Sequence, residues 1–192
     1  METVWSICQV CLAEAHERHK VEVISFVLMN NHYHLMVRTP DANLDQFMYE
    51  FNKRLSHKLK SSTGNINHLL GGRYKWCLIE SQKYFMNCYR YVYQNPRRAL
   101  ITNRCEYYPF STLNTLVYHK IFSVPLHDSI GFKDPHVLNW INEKIDEQET
   151  ILLKKGLRRA ELKTLKDRST RRCKDTSGFA SDNLFSSATP LG

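Results

Sequence analysis

At 192 residues, with 42% hydrophobic side chains, the chain has the length and apolar content for one ordinary domain and a tail. Its 27 lysines and arginines against 19 aspartates and glutamates leave a formal charge of +8, which favours a polyanionic partner without separating DNA, RNA and membrane surface. No run approaches the roughly 20 apolar residues of a membrane span, and six scattered cysteines without an apolar leader argue against secretion and a disulfide framework; a soluble, cytoplasmic protein is expected.

From Val4 to about His19 the apolar positions Val4, Ile7, Cys8, Cys11, Leu12 and Ala15 have the spacing of a helix with one buried face. Cys8 and Cys11 sit at a zinc-like spacing, but no second Cys-x-x-Cys completes four ligands, so buried helix thiols are the simpler reading. Val21 to Met29 reads as a strand, Asn30-Asn31 as a turn and His32 to Val37 as a second, antiparallel strand. Leu44 to about Leu59 is a second amphipathic helix, partly basic through Lys53, Arg54, Lys58 and Lys60. After Gly71-Gly72, Arg73 to Ile79 is predicted as a third strand. A helix follows from Lys83 to Asn95, ended by Pro96 because the residue before proline is pushed out of the α region. Tyr107-Tyr108-Pro109-Phe110 is expected to pack back on the domain, and Pro135 to Ile151 to form another helix. Residues 154–174 hold ten lysines and arginines against two acids, followed by a polar, Ser-rich end that is expected to be disordered.

Two elements carry candidate chemistry. His32 and His34, two apart on a strand, point to one face of the sheet and offer two imidazoles to a divalent metal. Tyr91 and Asn95, four apart on a helix, project a phenol and an amide oxygen together. A phenol can attack a phosphodiester whose phosphate a nearby cation polarises, and the amide oxygen could be a third ligand.

The ordered stretches Phe26-Val27-Leu28-Met29-Asn30-Asn31-His32-Tyr33-His34-Leu35-Met36-Val37, Gly72-Arg73-Tyr74-Lys75-Trp76 and Arg90-Tyr91-Val92-Tyr93-Gln94-Asn95-Pro96-Arg97-Arg98-Ala99 resemble successive signature blocks of the HUH transposases with one catalytic tyrosine, and are most similar to their repeat-associated branch. The resemblance implies an α+β, ferredoxin-like antiparallel sheet with helices on one face. It makes His32, His34 and Asn95 the metal site, for Mg2+ or Mn2+, with Tyr91 as nucleophile and Tyr33 facing the core. It further implies nicking and joining of single-stranded DNA through a 5′-phosphotyrosine during DNA transposition. The partner would be hairpin ends of a mobile or repeat element in the prokaryotic nucleoid, the protein acting as monomer or homodimer.

Arg73, Lys75, Arg97, Arg98, Lys53 and Arg54 are the candidate phosphate contacts, with Tyr74 and Trp76 available to stack on unpaired bases. Relatives usually open with a strand before the first helix, whereas helical periodicity begins here by Val4, so the expected layout is an N-terminally short catalytic domain over residues 1–125 and a C-terminal extension over 126–192. A missing strand would thin the support beneath the histidines and lower stability. Two rival readings stand beside the transposase: an inactive, truncated module that still holds DNA hairpins, and a structural zinc protein built on His32 and His34.

Overall fold

The computed structural model describes residues 1–63, 74–127, 130–131 and 134–161. The chain divides into two compact units, Met1–Tyr74 with Val92–Glu143, and Lys75–Tyr91 with Lys144–Gly192. Gly71, Gly72, Arg73 and the part of the basic tail beyond Glu161 lie outside the described residues.

The first unit opens with α1 (Glu2–Arg18), followed by the hairpin β1 (Glu22–Leu28) and β2 (Tyr33–Arg38) and then by α2 (Leu44–Thr63). The strands are antiparallel, pairing Leu28 with Tyr33, Phe26 with Leu35 and Val23 with Val37 on one face, and Val27 with His34 on the other. Ile24 is an extra residue between Val23 and Ser25, whose partners Val37 and Met36 are consecutive. The first face is the core: Phe26, Leu28, Tyr33, Leu35 and Val37 pack with Cys8, Cys11, Leu12 and Ala15 of α1 and Phe47, Met48, Phe51 and Leu55 of α2. The architecture is therefore α+β, with α1 and α2 covering one side of the hairpin and His34 standing on the other. Both helix cysteines are fully buried, and burial pushes the Cys8 thiol up to about 12, which leaves it an inert, protonated core group.

A two-stranded sheet is marginal by itself, and here the outer edge of β1 is closed by main chain and side chains from residues 108–127. The Leu28 N–H donates to the Phe110 carbonyl at 2.9 Å, Tyr108 Oη donates to the Leu28 carbonyl at 2.7 Å, and the His127 N–H donates to the Val23 carbonyl at 2.8 Å. Between them the Thr112 hydroxyl stands where a strand residue would be, accepting from the Phe26 N–H at 2.8 Å and lying 3.3 Å from the Phe26 carbonyl. Thr112 opens α4 (Thr112–Val117), whose N-cap is Ser111, the Ser111 Oγ accepting from the Asn114 N–H. The expected return of the Tyr107–Phe110 stretch onto the domain is thus a set of edge bonds rather than apolar contact alone.

Helix α3 (Gln82–Arg98) differs from its sequence expectation by running through Pro96 instead of stopping at Asn95. Proline has no N–H to give the carbonyl four residues back; the Asn95 side-chain amide donates to that Val92 carbonyl at 3.3 Å in its place. The helix then ends in a two-bond cap, Ile101 N–H to Pro96 O and Leu100 N–H to Arg97 O, with Leu100 left-handed at φ 58° and 91% exposed. Gln94 donates to the Ile141 and Glu143 carbonyls, both at 2.6 Å, and Arg97 to the Asn142 carbonyl, so two α3 side chains satisfy the C-terminal carbonyls of α5 (Pro135–Asn142). Instead of one helix over Pro135 to Ile151 there are two, α5 and α6 (Glu147–Gly156), each started by an aspartate cap: Asp134 accepts from the His136 N–H and Asp146 from the Gln148 N–H.

The third strand expected over Arg73–Ile79 is not formed by its described residues. Residues 74–77 have no regular structure, and Leu78 alone makes a parallel bridge to Glu161 within the second unit. No helix among the described residues is long and apolar enough to cross a membrane.

Replacing Thr112 by Val keeps the shape and removes the acceptor, leaving the buried Phe26 N–H without its bond, so stability is expected to drop by about 1–3 kcal/mol. Thr112→Ser should restore most of it; equal urea midpoints for the Val and Ser variants would refute the edge role. Conversely, Leu100→Gly removes the left-handed strain of an exposed leucine and should gain about 0.5–1 kcal/mol in the same titration, net of the extra chain entropy of glycine.

Candidate metal and nucleic-acid site

The two histidines predicted to share a face converge: His32 Nε2 and His34 Nε2 are 3.2 Å apart, with the rings edge to face. Their backbone places them there. His34 lies on β2 opposite Val27, His32 immediately precedes the strand, and the Met29 N–H donates to the His32 carbonyl at 2.8 Å to close the turn. Between them Tyr33 points the other way, packing on Phe26 and Phe51 and donating its hydroxyl to Asn52 Oδ1 at 2.7 Å, as the core-facing reading required.

Asn31, read from sequence only as a turn residue, has a second task. Its Oδ1 lies 2.7 Å from His32 Nδ1 and, as a carbonyl oxygen, accepts that ring's N–H. The tautomer assigned by this bond leaves Nε2 as the lone-pair nitrogen, which is how protein metal sites orient a histidine ligand. Burial holds the His34 imidazole well below its usual range, at about 4, with His32 adding to the effect; burial lowers His32 as well. At neutral pH both rings are uncharged, the form that binds metal.

These donors fit a divalent cation. With metal–nitrogen bonds of about 2.1 Å, nitrogens 3.2 Å apart would subtend ~100° at a shared ion, between the octahedral and tetrahedral angles. Among the described residues no group of three His, Cys, Asp or Glu is assembled; amide oxygens and water are further donors that such a pair could use. Asn95, in the same unit, has its amide nitrogen committed to Val92, which makes the oxygen the atom of that side chain with ligand character. Tyr91, one helical turn earlier on α3, is buried at 6% exposure and is the last residue of its segment in the second unit.

The cationic candidates separate by what they touch. Arg54 donates to Glu14 and to Glu50, both at 2.6 Å, tying α2 to α1, and Lys58 joins Glu14 at 3.1 Å. Arg97 is engaged with the end of α5. Lys53, Lys75 and Arg98 are exposed, and Arg73 lies outside the described residues. Of the expected stacking residues, Trp76 is 49% exposed, while Tyr74 packs against the core and donates to Asp45.

A family model described as IS200-like transposase matches residues 2–95, a span that contains both histidines, Tyr91 and Asn95. No curated protein and no solved structure matches the chain.

The depressed His34 value has a consequence for the metal-free protein. Below 6.5 the unfolded chain takes up a proton that folded His34 refuses until about 4, so stability is full above 6.5 and is lost as pH falls through that window. Urea midpoints of the metal-free protein should be level from neutral pH down to about 6.5 and then decline, and His34→Gln should flatten part of that decline. A variant with the same slope as the wild type would show that His34 is not held neutral.

Proposed function

Because the chain belongs to the IS200-like transposase family, we propose that it breaks and rejoins single-stranded DNA at hairpin ends with Tyr91 as nucleophile, His32, His34 and Asn95 holding Mg2+ or Mn2+. The observation that carries this reading is the convergence of two neutral imidazoles, one with its tautomer set by Asn31, at a distance two ligands of one cation would keep. The bound cation would neutralise charge on the scissile phosphate.

The residues divide the rest of the work. Tyr91 gives its phenolic proton to solvent and its oxygen attacks phosphorus; the bond to the 3′ oxygen breaks, and that oxygen leaves as a hydroxyl after taking a proton. The 5′ end stays on the tyrosine until a 3′-hydroxyl of the same or another strand reverses the step and joins the ends. His32 and His34 keep their lone pairs at neutral pH because burial disfavours the protonated rings. Asn95 contributes an oxygen whose orientation follows from the hydrogen bond its amide nitrogen donates to the Val92 carbonyl. Lys75 and Arg98 are exposed cations placed within the family-like blocks, and they would hold phosphates flanking the cut.

Incubating the wild-type chain with hairpin-bearing single-stranded oligonucleotides and manganese should give a covalent protein–DNA band on a denaturing gel, and Tyr91→Phe should lower that band by about a thousandfold or more, since the nucleophile is gone. No band from the wild type, or an equal band from the phenylalanine variant, would sink the nucleophile assignment. Hairpin binding that persists in EDTA without any adduct would instead make the chain a DNA-binding module.

A further inference from the structure

Resting on the nucleic-acid reading above, we propose that the solvent face of α2 is a track for a single nucleic-acid strand, with Tyr49 as a stacking platform and Lys53 and Lys60 as phosphate contacts. Gln46, Tyr49, Lys53, His57 and Lys60 recur at intervals of three and four residues and are all exposed, so they form one continuous stripe along the helix. Tyr49 is 65% exposed, and its ring carries the Lys53 ammonium at 5.6 Å from the centroid. From Tyr49 to Lys60 the stripe is about 16 Å long, enough for a short run of nucleotides.

What distinguishes this face from an ordinary solvated one is where the acids of the region have gone. Glu50 is held by Arg54 and Arg18, Glu14 on α1 by Arg54 and Lys58, and Asp45 accepts from Tyr74. The helix thus sorts its charge: Glu50, Arg54 and Lys58, four residues apart in turn, make the ion-paired edge toward α1, while Lys53 and Lys60 close no ion pair among the described residues, Lys53 acting on Glu50 only at longer range. The exposed stripe contains no carboxylate at all. A polyanion meeting it finds two cations outside the ion-paired edge and one aromatic face a turn before them, the combination that single-strand binders use without reading sequence. Arg54 and Lys58, which sequence alone could not separate from Lys53 and Lys60, belong to the scaffold.

The test uses the full chain in EDTA, where no strand chemistry proceeds, and a fluorescein-labelled oligothymidylate of about fifteen nucleotides, with anisotropy titrations between low and moderate salt. Lys53→Gln with Lys60→Gln should weaken binding about five- to twentyfold and reduce the salt slope by about 1.4, two phosphates' worth on a single strand. Tyr49→Ala should weaken binding at least about fivefold with the slope unchanged, and Tyr49→Phe should bind like the wild type. Because all three positions are exposed, circular dichroism melts serve as the folding control and should match. Unchanged affinity and slope in the double lysine variant would overturn the proposal, and so would loss in that variant with no loss in Tyr49→Ala, which would reduce the stripe to diffuse charge. If the wild type itself fails to bind the probe, the nucleic-acid reading fails; if it binds and the variants bind equally, only the α2 track fails.

Discussion

The Thr112 hydroxyl is the hinge on which the first unit turns. It is completely buried, accepts the Phe26 N–H, and meets the Tyr93 hydroxyl at 2.9 Å, so one oxygen joins β1, the start of α4 and the C-terminal half of α3. A hairpin whose second edge was left dry and unpaired would carry several buried donors and acceptors at a cost of about 1–3 kcal/mol each. Phe110, Tyr108, Thr112 and His127 remove that cost between them, and only two of these four bonds are backbone to backbone, Leu28 to Phe110 at one end and His127 to Val23 at the other. The consequence reaches the histidines, because Val27, which pairs with His34, lies between Phe26 and Leu28, two of the three β1 residues so anchored.

Electrostatics shapes the helical side of the same core. Glu14 and Glu50 have their carboxyls held below the usual range chiefly by hydrogen bonds from Arg54, which sits between α1 and α2. Open to water on one side, pairs of this kind contribute only modest stability singly, yet they fix which charges remain outside. Two acids and three cations are consumed along the α1–α2 seam, and the remaining cations of α2 stand on the face turned away from it. A net basic charge spread over the sequence thereby becomes a one-sided field.

Much of this was legible in the residues. The helical spacing of Val4 to Ala15 and of Leu44 to Leu59, and the alternation around Asn30-Asn31, rest on periodicities that packing preserves. The pairing of His32 with His34 followed from the two-residue repeat of a strand. Other parts depended on partners far along the chain. Nothing local to Arg73–Ile79 says whether its apolar and aromatic residues will find a ladder partner, and of its described residues, 74–79, only Leu78 pairs, in a single bridge to Glu161. Thr112 and Gln94 look like ordinary polar residues until Phe26 and the end of α5 are brought to them, 86 and 47 positions away. Asn31 was visible as a turn former, and its adjacency to the first histidine was the available sign of its second role.

Pro96 shows how a local rule can fail and still be informative. The rule that a helix ends before proline rests on a clash and on a missing donor. In α3 the missing donor is replaced from within, by the side chain of the preceding residue: Asn95 supplies the N–H that Val92 would have received from position 96. A carboxamide has two ends, and committing its nitrogen to the helix fixes the direction of its oxygen. An alanine at 95 would forfeit both the replacement bond and the oriented oxygen, whereas a glutamine, one methylene longer, would carry its nitrogen past the Val92 carbonyl. The proline that ought to have stopped the helix is thus the physical reason that the candidate ligand beside it has a defined orientation.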